Sequence, residues 1–120
     1  MDPKARVRSA WMIRSAYRPM WLIAMFDLPV TSKLARKRAT EFRACLLDGG
    51  FIMLQYSVYA RFCDSAESAD SKRLYVRANL PPSGSVRLLA VTDRQFAKME
   101  HYRERKRTSG EEPPEQLLLF

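Results

Sequence analysis

Histidine occurs once in the 120 residues, at His101, and cysteine twice, at Cys45 and Cys63. There is no CxxC pair, no HExxH and no other zinc spacing, so a His/Cys metal centre has no motif to stand on. No Ser/His/Asp or Cys/His set and no Gly-rich phosphate loop accompany the four glycines. Both thiols sit in apolar or strand-like surroundings and read as reduced, structural groups of a cytosolic protein. The longest apolar run, Met20–Phe26, is far too short to span a bilayer. Lys4, Arg6 and Arg8 open the chain, but Arg14 interrupts the apolar residues behind them, so no signal-peptide core follows. The expectation is a cytoplasmic protein without a membrane partner.

Acidic residues are also scarce. Asp and Glu number 13 against 21 Lys and Arg, which leaves a formal charge of +8. Such an excess favours a polyanionic partner, because each phosphate neutralised releases condensed counterions. A hydrophobic share of 47% with 28% charged residues is that of a globular chain. At this length it builds one domain around one modest core.

Residues 1–18 form a basic, weakly periodic extension that ends at Arg18-Pro19; disorder and a short helix both fit it. Met20–Asp27 is short, nearly all apolar and stopped by Leu28-Pro29, the pattern of a buried strand. Thr31-Ser32 offers a helix cap. From Lys33 to Asp48 the apolar residues Ala35, Ala39, Phe42 and Leu46 fall on one helical stripe, closed by Gly49-Gly50. Phe51–Cys63 is too long for one ordinary strand and divides into strands at about Phe51–Leu54 and Ser57–Phe62. Asp64-Ser65 caps a second helix, Ala66–Asn79, whose core stripe is Ala69, Val76 and Leu80. Ser85–Thr92 is a further strand. Asp93 caps a short helix over Arg94–Tyr102, and a basic run follows from Arg103 to Arg107.

The order is β-α-β-β-α-β, so the predicted fold is α+β, a ferredoxin-like sandwich over 19–107. A polar linker, 108–115, leads to an isolated apolar tail, Gln116–Phe120, read as an extra C-terminal strand. Two helices cover one sheet face. The other needs a cover, and a second copy in a homodimer is the simplest one. Pairing the tail to a sheet edge, the partner's by preference, removes an aggregation hazard.

Trp21–Pro29, Phe42-Arg43 and Gly50–Tyr59, with Leu80-Pro81, Gly84, Val86-Arg87 and Thr92–Phe96, resemble the Cas-two family of CRISPR-associated proteins in its type II flavour. The likeness runs from about residue 18 to the end. Residues 1–18 depart from it, since family members commonly start near the first strand. The resemblance implies a homodimeric ferredoxin-like fold and an adaptation complex in which the dimer bridges two integrase dimers on double-stranded DNA. It also implies a Mg²⁺- or Mn²⁺-dependent nuclease activity on RNA or duplex DNA.

Asp27 ends an apolar strand, where a carboxylate is costly without a partner. From the residues alone it either caps the following turn or binds a ligand. The resemblance gives it the family's metal-binding and catalytic aspartate, shared with a second copy across a two-fold axis. Tyr56 and Ser57 are candidates for the same groove. Lys33, Arg36, Lys37 and Arg43 on the first helix and Lys72, Arg73 and Arg77 on the second are candidate phosphate contacts, with Lys98, Arg103, Arg105, Lys106 and Arg107 beyond the last strand. Solvated helix faces are the plain alternative for these charges.

Two roles compete. One is a DNA-binding bridge for the integrase in spacer acquisition. The other is a metal-dependent endoribonuclease resembling mRNA-cleaving toxins of the same fold. An RNA-recognition motif is the weakest reading, because Ser57–Phe62 lacks its aromatic strand signature.

Overall fold

A computed structural model describes residues 18–108. Strand β1 (Met20–Asp27), helix α1 (Lys33–Asp48), strands β2 (Ile52–Gln55) and β3 (Val58–Cys63), helix α2 (Ala66–Ala78) and strand β4 (Ser85–Thr92) follow in the expected order. A short helix α3 (Asp93–Ala97) and a hairpin of β5 (Tyr102–Arg103) and β6 (Lys106–Arg107) complete the described chain. The main sheet runs β2-β3-β1-β4, and β1 is antiparallel to both neighbours. This is the ferredoxin-like arrangement. The 1–18 extension, the 108–115 linker and the Gln116–Phe120 strand lie outside the described residues, save Arg18 and Thr108.

Alternation along β1 divides the sheet. Leu22, Ala24 and Phe26 are buried in one cluster with Phe42 and Leu46 of α1, Ala69 and Val76 of α2, and Tyr59 and Cys63 of β3. Phe26 meets Phe42 edge-on at 5.2 Å between ring centroids. Trp21, Ile23, Met25 and Asp27 point the other way.

Helices α1 and α2 each begin on a serine. Ser32 Oγ accepts from Ala35 N–H and Ser65 Oγ from Ser68 N–H, both at 3.0 Å. Helix α1 stops on a Schellman pattern: Gly50 N–H donates to Leu47 O, and Phe51 N–H to Leu46 O. Gly50 holds φ at 88°, the left-handed residue that the motif requires. Phe51 and Leu46 then meet in the core. The helix stop consumes Phe51, so β2 starts one residue later than predicted, at Ile52.

Two further elements differ from expectation. Leu80 is 49% exposed rather than core, because α2 ends at Ala78 and the chain turns into Pro81-Pro82 before Leu80 completes the stripe. The helix predicted over Arg94–Tyr102 is one and a half turns long. Its cap is Thr92, in a capping box with Gln95 (Gln95 N–H to Thr92 Oγ1 3.1 Å, Thr92 N–H to Gln95 Oε1 2.9 Å). Asp93 is thereby free to accept from the Trp21 indole N–H at 2.8 Å.

Tyr75 ties the two helices together. Its hydroxyl donates to Cys45 O at 2.9 Å, and its ring occupies the space where a Cβ on Gly49 would come within 2.5 Å. Arg61 closes the same corner from β3, its Nε donating to Gly49 O at 3.1 Å.

Candidate functional site

Asp27 is the last residue of β1 and faces away from the helices. In the register it stands opposite Ser85, while Met25 stands opposite Arg87. Asp27, Ser85, Met25 and Arg87 therefore share one sheet face. With Phe26 they line a shallow depression of roughly 210 Å³. Gly84 makes the corner possible. A Cβ there would stand 2.7 Å from Asp27 O, and its φ is 93°.

The rest of that face is apolar. Ile23 lies between Ala60 of β3 and Leu89 of β4, and Met25 beside Val58. Helix α3 folds over one end only, where Phe96 stacks on Trp21 at 4.1 Å and Phe62 meets Trp21 edge-on at 5.5 Å. Asp27 sits at the uncovered end. Leu89 and Phe62 remain 49% and 41% exposed. Arg87 is the one cation that the described strands place on this face, and no described carboxylate lies within 4 Å of it.

No ion pair reaches Asp27 among the described residues, and they hold no cluster of three acidic, His or Cys groups able to enclose a metal. An exposed carboxylate is a suitable donor for a hard divalent cation, but it supplies one or two of about six oxygens. The donor set of a single chain is therefore incomplete among the described residues. Ser57 lies close to this strand end, its carbonyl accepting from Phe26 N–H at 3.0 Å. Tyr56 is exposed on the β2–β3 turn.

The predicted phosphate contacts separate by environment. Lys33, Arg36 and Lys37 are exposed along one side of α1, with Arg36 donating to Val30 O at 3.1 Å. Arg77 is exposed on α2. Arg43 is half-buried. Its guanidinium lies 3.9 Å from the centre of the Tyr56 ring, and its Nε donates to Tyr56 O at 3.4 Å. It pins the β2–β3 turn onto α1. Lys72 lies 5.3 Å from the Tyr75 ring centre, and Arg73 pairs with Asp70 at 2.8 Å. Arg87, which the sequence reading had not singled out, belongs with Asp27. Its parity within Ser85–Thr92 was visible, but only the register of two distant strands puts it beside the carboxylate.

Burial raises the pKa of Cys63 and of Tyr59, in each case against the opposing field of an arginine, Arg61 and Arg43 respectively. Neither group faces the Asp27 depression by strand parity. No helix among the described residues is long and apolar enough to cross a membrane.

Comparison with known proteins agrees with this architecture. The family model described as CRISPR associated protein Cas2 matches residues 20–99. A protein of Parvibaculum lavamentivorans named CRISPR-associated endoribonuclease Cas2 is 46% identical over 101 residues, 84% of this chain and 100% of that one. Proteins of the same name from Flavobacterium psychrophilum and Paracidovorax avenae are 42% and 43% identical, over 87% and 88% of this chain and 90% and 98% of their own.

Proposed function

The chain belongs to the Cas2 family of CRISPR-associated proteins, and from that premise we propose that it acts as a homodimeric, DNA-binding bridge for the integrase subunits in spacer acquisition. The observation that carries this reading is the half-covered apolar sheet face with Asp27 at its open end. Met25, Val58, Phe62 and Leu89 offer a surface that a second copy would remove from water, at about 25 cal/mol per Å² of apolar area. A two-fold axis across it brings the two Asp27 carboxylates toward one another and doubles the cationic surface of Lys33, Arg36, Lys37 and Arg77. Those side chains contact phosphates and carry no sequence information, as a platform for varied DNA requires.

Mg²⁺ or Mn²⁺ fits the Asp27 pair as a ligand and would supply charge neutralisation at a phosphodiester and an activated water. This chain's own contribution is the placing of the carboxylate. Its strand end is held by Phe26 N–H on Ser57 O, and Gly84 keeps the corner open.

The second reading, a metal-dependent endoribonuclease, is favoured by the name that the relatives carry. Asp27→Ala separates the two. A bridge keeps dimerisation, duplex binding and spacer acquisition and loses only Mg²⁺-dependent cleavage. Loss of acquisition by a correctly folded dimer would instead make cleavage the function.

A further inference from the structure

The sequence places four cations, Arg103, Arg105, Lys106 and Arg107, within five residues beyond the last strand of the sheet. All four are exposed, and no described carboxylate lies within 4 Å of any of them. They do not form a loose tail. Tyr102 pairs with Arg107 and Arg103 with Lys106 in an antiparallel hairpin. Its root is closed by Thr108, whose N–H and O–H both donate to His101 O, at 2.8 and 3.0 Å.

Two features of this hairpin work against stability. Like charges on paired and adjacent residues repel. The turn residues Glu104 and Arg105 have φ of 55° and 67°. A two-residue hairpin turn of this hand is ordinarily made by Asn-Gly or Gly-Gly, and a side chain in the left-handed region costs about 1 kcal/mol or more. Packing among the described residues offers no return for either, since every residue from Tyr102 to Arg107 is exposed.

Residues directly opposite in an antiparallel pair share a face. Arg103 and Lys106 lie on one face of the ribbon, Arg107 on the other, and Arg105 at the tip. An acidic protein surface or a single strand would meet only one face. A duplex groove presents phosphates on both sides. The major groove of B-form DNA, about 12 Å wide, admits a two-stranded ribbon.

We propose that the Tyr102–Arg107 hairpin is a cationic ribbon that enters the major groove of a B-form DNA duplex and contacts the phosphates of both flanking strands. This rests on the DNA-binding reading above and adds a contact that neither helix supplies.

The test is fluorescence anisotropy of the full chain on a DNA duplex and on an RNA duplex of the same sequence, across a salt series. The variant Arg103→Gln/Arg105→Gln/Lys106→Gln/Arg107→Gln is predicted to lower the slope of log Kd against log salt on DNA by about 2–4 and to weaken binding at least tenfold at low salt. The change on RNA is predicted to be smaller, because the A-form major groove is too deep and narrow for the ribbon. Glu104→Gly relieves the turn and keeps every cation, so it is predicted to bind DNA at least as tightly as the wild type.

An unchanged slope for the quadruple variant, equal losses on both duplexes, or weaker DNA binding by Glu104→Gly would each overturn the proposal while leaving DNA binding itself in place. Failure of the wild type to bind duplex DNA would remove both.

Discussion

Asp27 and Ser85 stand opposite one another where β1 ends and β4 begins, and Gly84 is the residue that lets them meet. A side chain at position 84 would have to displace backbone, with its Cβ 2.7 Å from Asp27 O, and would adopt a φ of 93°. Gly84→Ala is therefore expected to cost about 2–3 kcal/mol. Urea unfolding would measure it. A loss below about 0.5 kcal/mol would show that the corner relaxes freely.

Arg43 and Lys37 belong to one helix and are expected to behave differently. Arg43→Ala removes the stacking on Tyr56 and the bond to its carbonyl, so it costs about 1–2 kcal/mol of stability. Lys37→Ala leaves stability within about 0.5 kcal/mol and lowers the salt slope of DNA binding by about one. Parallel melts and binding titrations of the two variants separate a packing arginine from a phosphate contact.

Alkaline pH is expected to weaken the fold. The hydrogen bond with Cys45, and then burial, push the Tyr75 phenol from 10.0 up to about 12, and burial pushes the Cys63 thiol above its ordinary 9.0. The fold favours the protonated form of both. Their contribution is whole below the unfolded values and is lost as pH rises through the folded ones. Unfolding free energy is expected to fall between about pH 9 and 12. Tyr75→Phe, which has no phenol to ionise, is expected to show a shallower fall above pH 10. An identical profile for the variant would contradict the assignment.

Local signals carried most of the fold. The run Met20–Asp27, the stripe Ala39, Phe42 and Leu46, and the serines at 32 and 65 each act within one element, so their periods and caps could be read directly. Boundaries moved where two devices competed for a residue. Gly50 drew Phe51 into the helix stop, and Thr92 took the cap from Asp93. Leu80 left the core because a proline pair bent the chain away. The hairpin was hidden by its own turn. Glu104-Arg105 carries none of the Asn-Gly chemistry that announces a tight turn, so only a basic run was visible. In the candidate site Asp27 was legible as an acid ending an apolar strand. Arg87 was not, because the β1–β4 register joins residues some sixty positions apart.

Oligomeric state bears most directly on the function. Sedimentation equilibrium of the wild type at micromolar concentration is predicted to give twice the 13.9 kDa chain mass, and Leu89→Glu, which sets a charge in the half-covered face, is predicted to give the single-chain mass with the fold intact. A wild type that sediments as a monomer throughout would contradict the account.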